Sequence, residues 1–356
     1  MPLFRLKEDY SAHPRRWWHI PLLLLLIVGT VIIAREYNGS SASTTKWKLN
    51  ETQQNEGAVF GTFYHLTYRS TQNLQSQVDS VLTSVDFSLS PFNPRSIITA
   101  INENRSTQTN EQFRQVFQLA SNVYDATKGA FDITVAPIVN AWGFGFRQGI
   151  TPDSLQIDSL MQFVGFEKVQ LRADTITKAD PRLMLDCSAI AKGFGVDAVA
   201  QYMEAQGVTD YMIEIGGEIR LSGYNPQGQI WHIGVSKPVA DTLSTDKELE
   251  QILEVSDIAI ATSGNYRNFR LQADGQTVGH TIDPRTGTPV QRTILSATVL
   301  AKDCATADAY ATAFMVLGLE ESKAILANHP ELKAYFICTD EQERNYVWHS
   351  PTLQLP

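Results

Sequence analysis

Cysteine is scarce in this chain, with only Cys187, Cys304 and Cys338 among 356 residues. Three thiols so spread build no disulfide framework, and no CxxC pair is present to hold a structural zinc. Positive charge is scarce as well. The net charge is −9 and the C-terminal part of the chain, about three hundred residues, carries no basic run, which argues against a nucleic-acid partner. There is no GxxxxGK[ST] loop, so any phosphate chemistry is not of the P-loop kind. Internal repeats and a regular βαβ alternation are missing too. What is present is 43% hydrophobic content, in a chain long enough for one large domain or two small ones with a real core.

Long apolar runs are confined to one place. Arg5, Lys7, Arg15 and Arg16 precede Trp17-Trp18-His19, and Ile20 to Ala34 holds no charge. As a helix, Trp17 to Ala34 would span roughly 27 Å, close to a bilayer core. Basic residues before the run and almost none just after it predict a cytoplasmic N-terminus and a body outside. Ser40-Ser41-Ala42 offers a small-x-small cleavage site. It lies far from the apolar end, which favours an uncleaved anchor. No cysteine follows the run, so a lipid-modified N-terminus is not available. The reading is a basic segment over 1–16, a transmembrane signal anchor over 17–35, a polar linker over 36–56 and one catalytic domain over 57–356.

In the body, Val59 to Tyr68 alternates as a strand does, and Gln72–Leu89, Phe113–Thr127, Asp153–Val164 and Ile190–Ala205 carry helical spacing. Strands are predicted near Val169, at Leu183-Met184-Leu185, Tyr211–Ile215, Ile219–Gly223, Ile230–Val235, Ile258–Ala261, Phe269–Gln272, Gly279–Ile282 and Ser296–Ala301, with a C-terminal hairpin across Ala334–His349. Helices and strands mix without βαβ order, so the class is α+β.

Four segments carry chemistry. In Ala305-Thr306-Ala307-Asp308-Ala309-Tyr310-Ala311-Thr312, Asp308 and Thr312 share one face of a helix, one turn apart. Such a face, small and oxygen-bearing, can present two hard ligands to Mg²⁺, which completes its shell with waters and phosphates. A capped surface helix with one Asp would read the same way. Asp186 to Asp197 joins a strand to a helix. Its small residues allow an ion or ligand near the backbone, its helix N-terminus favours phosphate, and Lys192 adds charge. An ordinary turn with a surface lysine is the alternative. Glu214-Ile215-Gly216-Gly217-Glu218 ends a buried strand with a Gly pair that permits positive φ and close approach. In Gly279 to Pro289, His280 can exchange a proton near neutral pH, and Asp283-Pro284 with Gly287 fixes a rigid turn around it.

Taken together and in order, these segments resemble the flavin transferase family, the ApbE-like FAD:protein FMN transferases. The resemblance runs from about residue 57 to the C-terminus. Its marks are Gly61-Thr62; Ser90-Pro91-Phe92-Asn93-Pro94-Arg95-Ser96 with Asn102; Gly129 to Thr134 through Pro137 to Phe144; Asp186 to Asp197; Gly216-Gly217; Thr262-Ser263-Gly264; His280 to Pro289; and Asp308 with Thr312. It implies an α+β, T-fold-related architecture of mixed sheet and helices with a central ligand cleft. It implies Mg²⁺ held by Asp308, Thr312 and the backbone carbonyl of Ala189. FAD contacts carry over to Phe60, Phe92, Ala130-Phe131-Asp132, Asp186, Lys192 and Thr281. His280 takes the position of the family's catalytic histidine, with Asp283 beside it as the other proton acceptor and Lys192 acting on the pyrophosphate.

The implied reaction is transfer of the FMN part of FAD to a Thr or Ser hydroxyl of another protein, with release of AMP. The implied partner is a subunit of a membrane redox complex, and the implied place is the inner membrane with the catalytic domain on the periplasmic side. An FAD pyrophosphatase or an anchored flavin carrier would use much the same residues. The chain departs from the family's commoner residues at Phe60, Phe92, Cys187-Ser188, Asn265 and Arg267, and none of these is a proposed metal ligand.

Overall fold

The computed structural model describes residues 46–147, 152–236, 249–264, 269–271, 277–290, 293–342 and 344–355. The expected basic segment and transmembrane anchor, the first part of the expected linker, and Asn265 and Arg267 lie outside the described residues. Among the described residues no helix is long and apolar enough to cross a membrane.

Eight strands form one sheet whose spatial order follows the chain: β1 (Thr52–Val59), β2 (Thr62–Arg69), β3 (Tyr211–Ile215), β4 (Glu218–Ser222), β5 (Ile258–Gly264), β6 (Ile294–Ala301), β7 (Lys333–Thr339) and β8 (Asn345–His349). Every neighbouring pair is antiparallel. The helices are α1 (Gln75–Leu89), α2 (Ile97–Asn102), α3 (Glu111–Ala126), α4 (Ala136–Ala141), α5 (Ser154–Met161), α6 (Ala191–Ala205), α7 (Cys304–Leu317) and α8 (Leu319–Asn328). The mixture is the α+β class expected.

Period-two alternation divides the residues of the central strands between two cores. On β7, Ala334, Phe336 and Cys338 join the core under the helices, while Tyr335 and Ile337 join the core on the far face. β6 does the same with Ala297, Val299 and Ala301 on one side and Leu300 on the other. The far face is closed by a separate hairpin (Trp231–Ser236 with Leu249–Val255), by Trp47 and by Leu353. On the helix face α6 and α7 lie against the sheet. α7 is apolar nearly all round, and twelve of its fourteen residues are buried, as expected for a central helix.

Three local expectations change. Gly279–Ile282 is not one strand: Thr277–Gly279 and Ile282–Asp283 pair with different partners, and His280 and Thr281 lie between them. The polar stretch read as linker up to Glu56 is a short 3₁₀ turn (Leu49–Glu51) followed by β1. β1 is an edge strand, where polar residues cost little because one long side faces no further strand. Leu183-Met184-Leu185 has no regular secondary structure and pairs with no described strand. The Asn102 side chain stands in for one: its Nδ2 donates to the Leu185 carbonyl at 2.8 Å and its Oδ1 accepts the Leu185 amide at 2.7 Å.

Candidate active site

One cleft of about 700 Å³ gathers most of the chemistry-bearing segments. Ala130, Phe131, Asp132, Asp186, Ala189, Lys192, His280, Thr281, Asp308 and Thr312 all line it. They come from four stretches of chain, two of which meet where α6 and α7 cross in close contact.

That crossing has a clear local cause. Asp303 caps α7, accepting the Thr306 amide at 2.9 Å. Asp197 of α6 accepts the next orphan amides, those of Cys304 and Ala305, at 2.9 and 2.8 Å. Its own charge is met by Arg220 of β4 at 2.8 Å. Gly193 makes the approach sterically possible, since a Cβ there would lie 2.4 Å from the Cys304 carbonyl oxygen. The reward is at Asp308, 5% exposed, whose Oδ2 accepts the Gly193 amide at 3.0 Å. In a regular helix that amide would engage the carbonyl four residues back, which belongs to Ala189. The contact therefore draws the carboxylate to the turn that carries that carbonyl. Thr312 follows one helical turn along α7.

Lys192 Nζ pairs with Glu218 Oε1 at 2.6 Å, and Glu218 is 3% exposed. Burial, and after it the nearby Asp308 charge, raise the Glu218 carboxyl, while Lys192 pulls it the other way. Burial likewise raises Asp308, opposed by Lys192 and the Gly193 amide. Burial works against the Lys192 charge, but Glu218 and Asp308 outweigh it and its pKa is raised. Two buried carboxylates thus share one ammonium.

Do these groups fit a cation? Glu218 Oε2 is buried and has no hydrogen-bond partner among the described residues. The available donors are carboxylate, hydroxyl and carbonyl oxygens. That is a hard-oxygen set short of one positive charge, and it fits a small hard dication such as Mg²⁺. Among the described residues no group of three or more His, Cys, Asp or Glu is placed to hold a metal, so a zinc-type nitrogen and sulfur cage is not what this cleft offers.

Across the turn that precedes α6, Asp186 Oδ1 accepts both the amide and the hydroxyl of Ser188, at 2.8 and 2.5 Å. The protein packed around it raises its carboxyl. The Asp186 amide donates to Ile133 O at 2.7 Å, tying this turn to the Ala130–Thr134 stretch. There Asp132 is 6% exposed and its Oδ1 accepts the amide and hydroxyl of Thr134, both at 2.7 Å. Burial lifts the Asp132 carboxyl to about 6 despite those bonds.

His280 sits at the edge of the cleft with its ring 6.5 Å from that of Phe144, edge to face. The turn beyond it is rigid, as expected. Asp283 O accepts the amides of Thr286 and Gly287, and Trp142 Nε1 donates to Gly287 O at 2.9 Å.

Three expected site residues are not on the cleft wall. Asp283 is buried and both of its oxygens are taken by the Arg285 guanidinium, at 3.0 and 2.9 Å. Both carboxylate oxygens face Arg285, whose amide also donates to Oδ1, and the visible work of Asp283 is to fix the turn. Phe60 occupies the β1–β2 turn with φ of 51°, its ring packed on Gly195. Phe92 is 65% exposed and meets Phe146 edge to face at 6.2 Å.

Among the cleft residues not selected in the sequence are Glu218, Phe144, and the pair His65–Glu214, whose Nδ1 and Oε2 lie 2.7 Å apart. Glu218 had a signal. Gly216-Gly217 is a two-residue hairpin turn, with φ of 61° and 105°, that sets Glu218 directly across from buried Ile215, and cross-strand partners share a face.

Comparison with known proteins agrees with this architecture. The ApbE family model matches residues 60–336. A curated FAD:protein FMN transferase of Vibrio cholerae is 36% identical over 302 residues, spanning 82% of this chain and 89% of that protein. One from Escherichia coli K12 is 31% identical over 312 residues, spanning 83% and 86%. Among solved structures, the flavin transferase ApbE from Vibrio cholerae superposes with a TM-score of 0.76 at 34% identity, over 85% of this chain and 98% of that one. The apo form of the Pseudomonas stutzeri flavinyl transferase ApbE gives 0.74 at 28% identity, over 84% and 95%.

Proposed function

The chain belongs to the ApbE family, and on that premise we propose that it transfers the FMN part of FAD to a Thr or Ser hydroxyl of an acceptor protein and releases AMP. The observation that carries this reading is the composition of one cleft: a hard-oxygen cation centre, a paired lysine and a histidine all open onto the same 700 Å³ space. A simple flavin carrier has no use for the first two.

When bound by Asp308, Thr312 and the Ala189 carbonyl, Mg²⁺ supplies neutralising charge for the pyrophosphate. Lys192, kept charged by Glu218, stands beside it to meet phosphate oxygens as a point charge. His280 takes the proton of the acceptor hydroxyl at a ring nitrogen. The hydroxyl oxygen then forms a bond to the FMN-side phosphorus, the bond from that phosphorus to the AMP phosphate breaks, and AMP departs with the electron pair. Phe131 and Phe144 present apolar surface for the flavin ring. Asp132, Asp186 and Thr281 supply polar edges to orient it.

The place of action is part of the same proposal. The basic flank at Arg15-Arg16 and the apolar run from Trp17 to Ala34 support a single-pass inner-membrane protein whose catalytic body faces the periplasm. An acceptor in a membrane redox complex suits that face. Incubation of the purified full chain with FAD, Mg²⁺ and a candidate acceptor tests the reaction. The expected result is AMP together with flavin that stays on the acceptor after denaturation. AMP with no protein-bound flavin would make hydrolysis the activity instead.

A further inference from the structure

The Gly216-Gly217 turn sends a glutamate into the wall of the cleft. Glu218 Oε1 is satisfied by Lys192, and Oε2 is not satisfied by any described residue. A carboxylate oxygen left bare in a buried place is costly, and an ion pair through the other oxygen does not by itself make up for it. Among the described residues two other buried side-chain atoms lack a partner, Asn140 Nδ2 and Ser296 Oγ, and they belong to neutral groups that do not line the cleft. Glu218 is the one that combines charge, burial and access to the ligand space. Whatever completes it must be a strong donor. Lys192 is already engaged, and Asp308 is another acid. The donor must come with the ligand.

Building on the cation reading above, we propose that Glu218 is a further positioning residue of the cation centre, holding the hydrated dication through a water that donates to Oε2. Mg²⁺ gives up its waters reluctantly and usually keeps several. A water polarised by the ion is the kind of donor a bare carboxylate oxygen lacks. The arrangement has a second effect. With Oε2 on that water and Oε1 on Nζ, one side chain fixes the ammonium and the ion side by side, as two neighbouring phosphate oxygens require. Such outer ligands commonly contribute ten- to a hundredfold in metal affinity.

The test is calorimetric titration of Mg²⁺, and separately Mn²⁺, into the FAD-free full chain, with thermal unfolding measured alongside. Glu218→Gln is expected to weaken cation binding about ten- to a hundredfold, with the unfolding midpoint of the cation-free protein little changed. Where Gln does not fold, Glu218→Ala carries the same expectation. The loss should persist in a Lys192→Met background. Unchanged affinity in Glu218→Gln, or a loss that vanishes once Lys192 is removed, overturns the proposal, because Glu218 would then serve the lysine alone. Wild-type protein that binds no cation, with Asp308→Ala indistinguishable from it, overturns the cation reading itself and this proposal with it.

Discussion

The amide of Gly193, in the first turn of α6, donates to Oδ2 of Asp308, in the second turn of α7, across 3.0 Å. First-turn amides of a helix have no partner within it. Here the acceptor is the side chain proposed to hold the cation, so the position of that carboxylate is set by the packing of two helices rather than by its own rotamer alone.

Gly193→Ala is therefore expected to act at a distance from any ligand. The added methyl would meet backbone atoms of Cys304 and Ala305 at 2.4 to 2.9 Å, which only a parting of α6 and α7 relieves. Overpacking of this kind costs about 1–3 kcal/mol, and Mg²⁺ affinity should fall with it. Urea unfolding and Mg²⁺ titration on the same variant check both. Wild-type values in both would mean that the helix contact does not place Asp308.

His280→Ala addresses proton transfer. General-base assistance is worth about 10²–10⁴-fold. Single-turnover FMN transfer should slow by that order while FAD affinity stays within a few-fold. A rate loss fully accounted for by weaker FAD binding would instead make His280 a packing partner of the flavin, beside Phe144.

Asp132→Asn should make the protein less sensitive to pH. The folded carboxyl titrates near 6 rather than the usual 3.8. Below about pH 3 it is largely neutral in both states and costs little. Between about 3 and 6 the unfolded chain ionises first, so stability falls as pH rises, and above 6 the full loss of about 3 kcal/mol at most is present. Asn keeps the oxygen that accepts from Thr134. Its gain over the wild type in urea unfolding should be small at pH 4 and largest at pH 7.5; an equal gain at both would remove the titration from the account.

Topology is checked with spheroplasts. Protease added outside should digest the body. Protection of the body until lysis would place it in the cytoplasm and reverse the proposed orientation.

Much of this was legible in the residues themselves. The Asp308–Thr312 spacing and the small residues of Asp186–Ala191 mark a helix face and a turn, and the cleft joins them. The fold class followed from the mixture of periodicities, and the exact span of β3 from its apolar run. Other features depend on partners remote in sequence. Nothing near Leu183–Leu185 tells that an asparagine over eighty residues earlier completes its hydrogen bonds. That the Arg285 guanidinium closes on both oxygens of Asp283 shows only in the folded turn. Glu218 lies between these cases. Its hairpin register was readable from the Gly pair, but that the buried face of β4 opens there onto a cleft depends on α6 and α7.

The cleft draws on chain as far apart as Thr62 and Thr312, which fixes when activity can begin. During synthesis α7 is among the last elements to emerge, and without it neither the carboxylate proposed to hold the ion nor the acceptor of the Gly193 amide exists. A nascent or truncated chain ending before Cys304 lacks Asp308 and Thr312, so the proposed centre is incomplete in it. The order of the residues along the polypeptide thus works as a timer for the proposed activity, which waits until nearly all of the chain has been made.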